Sequence, residues 1–234
     1  MTQILFLVML VIGLIISLVF PIMLKGKFIN KIIIYVVAVG LLIWKTIEFS
    51  YYHINNKGVY PVELSHICYF LVSAIILSRI EVLYFTGGCL SFISGLGYYI
   101  TALISPEKML GQHSNPIVIM GFVSHTLLLL IGSILLFGYK RYKLKHFYIV
   151  PLISIIVLSY IVLVDRGIIF SGLASKGYFI LDLINGRLLK YINIDNESLG
   201  KLTSLLIIIL SQGIFLLFNY INNIIFKDKN LKGF

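Results

Sequence analysis

The stretch ILFLVMLVIGLIISLVFPIML, residues 4–24, carries no charged side chain. As a helix it rises about 31 Å, enough to cross the ~30 Å hydrocarbon core of a bilayer. Its large apolar side chains fall on every face, so no stripe is left for water. Hydrocarbon offers the backbone no partners, so a run that crosses it has to satisfy its own N–H and C=O groups as a helix. A lipid-facing β-strand would alternate apolar and polar residues, and this run does not.

The same pattern recurs along the chain at 31–52, 61–78, 83–104, 116–138, 147–165 and 201–226, with short polar breaks between most of the runs. Of the 234 residues, 59% are hydrophobic and 12% charged. The mean hydropathy is +1.02. A soluble domain of this size could not hide that much apolar surface. The expected fold is therefore all-α, a polytopic transmembrane helix bundle of about seven spans. No linker or repeat divides residues 1–234, which read as a single integral membrane domain. The first run has no basic residue before it and is longer than the apolar region of a cleaved signal peptide, so it reads as a retained span.

The net charge of +10 is explained by its distribution, and no nucleic-acid partner is expected. If the runs alternate in direction, one face collects Lys25, Lys27, Lys31, Arg79, Lys140, Arg141, Lys143, Lys145, Lys227, Lys229 and Lys232 against only Glu81 and Asp228. The positive-inside rule places that face in the cytoplasm, with the amino terminus outside and the carboxyl terminus inside. The wealth of Ile, Asn and Lys suggests a bacterial plasma membrane.

The one long connection, 166–200, mixes Phe179, Ile180, Leu183, Ile184, Leu188 and Tyr191 with Asp182, Arg187 and Lys190. That mixture predicts an interfacial helix on the outer surface. In the fourth run, Gly87, Gly88, Ser91, Gly95 and Gly97 predict close helix packing, with a kink near Gly95 as a further expectation. Cys68 and Cys89 lie inside apolar runs and read as buried thiols. No spacing suggests a metal site, and no cofactor is expected.

Ionisable and strongly polar groups inside a membrane are costly, which makes them the natural place to look for function. Lys45, Ser65, His125 and Gln212 each lie fourteen or fifteen residues from the basic end of their run, about 21–22 Å at 1.5 Å per residue. The four runs thus place polar groups at one level, nearer the outer face. Glu48 is a turn beyond Lys45, and Glu63 a turn before His66. Pro61 suits the first turn of a helix, so Ser65 falls near a helix amino terminus, where free amides favour a developing negative charge. Serine needs a base to become a useful nucleophile. His66 points about 100° away around the helix, and His125 on another helix is the better base.

Three stretches carry a family resemblance: YPVELSHICYFL at 60–71, YFTGGCLSFISGLGYYITALISP at 84–106 and GFVSHTLLLL at 121–130. In this order they resemble the YwaF-like bacterial integral membrane proteins, which are related to eukaryotic TMEM-type phospholipid acyltransferases. Carried over by position, the family's cysteine falls on Ser65, with His66 following it, and the family's later histidine falls on His125. A serine in place of cysteine depends more on base assistance.

The resemblance implies acyl transfer or lipid acyl hydrolysis, with outer-leaflet membrane lipid as substrate and a lysolipid, a lipoprotein amine or water as acceptor. Ser65 would be the nucleophile and His125 the base, with His66 beside them. Lys45 or Gln212 would orient the headgroup or carbonyl, and Glu63 or Glu48 would orient a histidine. The competing expectation is a proton-coupled transporter that titrates through Lys45, Glu48, Glu63, His66 and His125.

Overall fold

The computed structural model describes residues 2–55, 61, 63–112, 115–169, 183, 185–187 and 196–227. These residues form eight α-helices and no strand. They are α1 (Gln3–Met23), α2 (Phe28–Ile54), α3 (Leu64–Leu77), α4 (Tyr84–Ile104), α5 (Pro106–Gln112), α6 (Asn115–Ser133), α7 (Ile149–Asp165) and α8 (Glu197–Ile225). A 3-10 turn, Glu81–Leu83, leads into α4, and α6 continues as a π-helix over Ile134–Tyr139. Six segments are long and apolar enough to cross a membrane. The chain is a multi-pass membrane protein.

Local signals set several boundaries. Thr2 Oγ1 caps the first turn of α1 by accepting from the Leu5 amide at 3.3 Å, and Asn196 Oδ1 does the same for Leu199 at 3.0 Å. Gly26, at φ +69°, makes the tight turn between α1 and α2, a conformation that suits glycine.

The third run departs from its expected extent. Its helix begins at Leu64, with Glu63 as an extended N-cap, so Pro61 precedes the helix instead of opening it. At 14 residues, α3 is about 21 Å long and too short to span alone. It lies inside the bundle, packed on α2 and α4. The predicted interfacial helix in 166–200 falls mostly outside the described residues. α4 is one continuous helix through Gly95.

The packing expected of the glycine-rich run is present at the α4–α6 crossing. A Cβ on Gly95 would stand 2.6 Å from the Leu129 backbone nitrogen, and one on Gly132 would stand 2.5 Å from that of Phe92. Only the missing side chains let these two backbones meet. Just below, the Phe92 ring packs edge-on against Phe137 and Phe218, centroids 5.7 and 4.9 Å away, joining α4, α6 and α8.

Four basic segments converge at one end of the bundle. The Gly26 amide and Asn30 Nδ2 both donate to Gly138 O, at 2.9 and 3.0 Å. Lys25 Nζ donates to the Ile225 carbonyl at 2.8 Å. Asn222 Nδ2 donates to Leu136 O and Lys140 O, at 2.5 and 2.9 Å, while its Oδ1 accepts from the Tyr142 amide at 2.9 Å. Arg141 Nε donates to Asn223 Oδ1 at 2.7 Å, and Lys140 pairs with Glu81. The α1–α2 turn, the entry to α4, the α6–α7 loop and the end of α8 therefore share one face, as alternating spans require.

Candidate functional site

Three helices bring a polar cluster together in the half of the bundle away from the basic end. From α2 comes Lys45, only 5% exposed. Its Nζ lies 2.8 Å from Glu48 Oε2, one turn along the same face. It also stands 4.6 Å from the ring centroids of Trp44 and Tyr69. A buried ammonium needs a counter-charge and further partners. Here a carboxylate and two aromatic faces supply them.

From α3 comes Tyr69, 1% exposed. Its hydroxyl donates to Ser124 Oγ at 3.1 Å and stands 3.5 Å from His125 Nδ1. Sequence reasoning passed over this residue, because a tyrosine in an apolar run reads as packing. Its one signal is position, four residues after Ser65 and three after His66, which places all three on or beside one helix face.

From α6 come Ser124 and His125. The histidine's Nδ1 donates to Gly121 O at 2.7 Å, and no described group bonds Nε2. Tyr98 of α4 lies flat against the imidazole, with centroids 4.2 Å apart and planes 13° from parallel. The Tyr69 ring meets it edge-on at 6.0 Å.

The His66 ring lies 5.2 Å from that of Phe49 and 6.5 Å from that of Tyr69, centroid to centroid, so it belongs to the same neighbourhood. Ser65 is the second residue of α3 and half-buried. Its hydroxyl makes no hydrogen bond to any described residue, His125 included. The first backbone bond of the helix runs from the Ile67 amide to Glu63 O, at 3.1 Å. The amides of Leu64 and Ser65 precede the intrahelical ladder. Glu63 is the N-cap, and its side chain makes no capping bond.

Gln212 shares the expected depth, but no hydrogen bond joins it to the cluster. Its Nε2 donates to Ser211 Oγ at 3.4 Å, and its Oε1 is buried with no hydrogen-bond partner among the described residues. Of the predicted residues, Lys45, Glu48, His66 and His125 gather around Tyr69. Ser65 lies one turn nearer the amino end of α3, on the Tyr69 face.

An open apolar groove of about 390 Å³ runs between α3 and α7, lined by Pro61, Ile67, Phe70, Leu71, Ala74 and Tyr160. Most of its α3 residues face away from Tyr69, and Pro61 carries it to the amino end of α3, where Ser65 is not among the lining residues. Cys68, 1% exposed, belongs to the apolar core. Among the described residues, no three His, Cys, Asp or Glu side chains gather as metal ligands.

No family model matches the chain, and no curated protein or solved structure matches it.

Proposed function

We propose that this layer is an acyl-transfer site working on membrane lipid esters, with Ser65 as nucleophile and His125 as base. One observation carries the reading. His125 commits Nδ1 to a backbone carbonyl and leaves Nε2 unbonded among the described residues, while the Ser65 hydroxyl, likewise unbonded among them, sits one helical turn from the tyrosine that touches that histidine. The resemblance of residues 60–71, 84–106 and 121–130 to the YwaF-like family supports the same chemistry.

An acyl chain would lie in the α3–α7 groove, with its ester at the amino end of α3. Ser65 Oγ attacks the ester carbonyl and gives its proton to His125 Nε2. The amides of Leu64 and Ser65, at the positive end of the helix dipole, stabilise the oxyanion. The imidazolium then protonates the departing lysolipid oxygen and leaves an acyl-serine. A lysolipid, a lipoprotein amine or water attacks that ester, its proton passes to Nε2, and Nε2 delivers that proton to Ser65 Oγ as the acyl–serine bond breaks. The basic end faces the cytoplasm by the positive-inside rule, which puts the site toward the outer leaflet. Impermeant thiol labelling of Lys143→Cys should succeed only from the cytoplasmic side, and labelling from outside would reverse the orientation.

To test the chemistry, purified wild type, Ser65→Ala and His125→Ala are incubated with isotope-labelled phospholipid and followed by mass spectrometry. Acyl release or transfer should occur in the wild type and fall at least 100-fold in both variants. Equal turnover in all three sinks the proposal.

A second reading, proton-coupled transport, is favoured by the part-buried Lys45–Glu48 pair and its continuation through Tyr69 to His125. Proton flux into proteoliposomes that depends on His125, without lipid turnover, would select it.

A further inference from the structure

The hydrogen bonds around His125 are directional enough to show what holds its tautomer. A backbone carbonyl can only accept, so Nδ1, 2.7 Å from Gly121 O, carries the ring proton. Tyr69, 3.5 Å from that nitrogen, therefore cannot donate to it. It donates to Ser124 Oγ at 3.1 Å. Ser124 in turn donates to Met120 O at 2.9 Å or Gly121 O at 3.1 Å. Each proton in this chain has an acceptor, and Nε2 is the ring nitrogen left unprotonated.

We infer that Ser124, acting through Tyr69, is the positioning residue that keeps the base on Nε2 of His125. The inference rests on the acyl-transfer reading for its purpose, but the tautomer can be measured without turnover. Ser124 is 1% exposed and Tyr69 likewise, so a phenol deprived of its acceptor has no water to turn to, and leaving a buried donor unmade is costly. The ring nitrogen at 3.5 Å is within its reach. Nδ1 can accept only in the other tautomer, in which Nε2 carries the proton and cannot act as a base. Ser124 prevents this by accepting the phenol's hydrogen bond. Removing the phenol as well as the serine hydroxyl removes the competing donor, and the Gly121 carbonyl alone then restores the original tautomer.

Nitrogen-15 solid-state NMR of histidine-labelled protein in lipid bilayers reads this directly, with His125 assigned by comparison with His125→Gln. Wild type should show Nδ1–H and an unprotonated Nε2. Ser124→Ala should move the tautomer ratio roughly three- to tenfold toward Nε2–H, the effect of one neutral hydrogen bond. The double variant Ser124→Ala/Tyr69→Phe should return to the wild-type ratio, which a general folding defect would not do. An Nε2–H wild type, an unshifted Ser124→Ala, or a double variant that stays shifted each overturns the inference. These ratios in a protein that turns over no lipid would support the tautomer device and count against the acyl-transfer reading alone.

Discussion

Tyr98 lies flat on His125, with ring centroids 4.2 Å apart and planes 13° from parallel. The stack fixes the plane of the imidazole, while the Gly121 carbonyl fixes its rotation within that plane. The Tyr98 hydroxyl, by contrast, is buried with no hydrogen-bond partner among the described residues. The ring and the hydroxyl therefore pull in opposite directions on stability. Tyr98→Phe should leave thermal stability in detergent unchanged or raise it by up to about 1 kcal/mol, since a buried unmade donor is removed. Tyr98→Ala should cost about 3 kcal/mol through lost packing and stacking. A Phe variant as unstable as the Ala variant would show that the hydroxyl has a partner.

The Lys45–Glu48 pair predicts strong non-additivity. Lys45→Met alone leaves Glu48 in a largely apolar setting and should cost about 2 kcal/mol, below the range for fully buried pairs because the Glu48 side chain keeps 20% exposure. Adding Glu48→Gln should recover at least half of that loss. A double-mutant cycle of unfolding free energies in detergent measures the coupling. Additive costs would mean that the two charges do not stabilise one another.

The α4–α6 crossing predicts a sharp contrast between glycines of one helix. At Gly95 an added methyl meets the Leu129 backbone nitrogen at 2.6 Å, whereas at Gly97 it meets nothing within 4 Å. Gly95→Ala should destabilise by about 2 kcal/mol. Gly97→Ala should be neutral or stabilise by up to ~1 kcal/mol, because alanine is the better helix former. Equal effects on the melting temperature would contradict the close approach.

Much of this arrangement was legible in the amino-acid order. Apolar runs long enough for a bilayer marked the spans, and the lysines between alternate runs marked the end where Lys25, Arg141 and Ile225 now meet. The shortness of α3 was not legible, because an apolar run does not reveal that Glu63 is extended. Depth was legible and azimuth was not. Counting residues put Lys45, His125 and Gln212 on one level, but only the three-dimensional packing decides that Lys45 and His125 flank Tyr69 while Gln212 bonds its own neighbour, Ser211. Tyr69 and Tyr98 were invisible for a related reason. Their rings look like packing in one dimension, and their chemistry depends on what another helix brings to them.

The basic end makes its own prediction. Asn222 is completely buried and satisfies two carbonyls and one amide around the π-helical end of α6. A leucine of similar size would strand all three. Asn222→Leu should cost about 3 kcal/mol and expose the Tyr142 amide to hydrogen exchange. Unchanged protection at Tyr142 would show that the asparagine is not what closes this end.

The central claim concerns one oxygen atom, Ser65 Oγ. Protein incubated with a defined phospholipid, quenched in acid and digested should yield the peptide containing Ser65 with the mass of one added acyl chain. That adduct should be absent in Ser65→Ala and should accumulate as a hydroxylamine-sensitive thioester in Ser65→Cys, whose thiolate is the stronger nucleophile. Acyl turnover by the wild type with no adduct on this peptide, or an adduct that persists in Ser65→Ala, would contradict the assignment of Ser65 as the nucleophile.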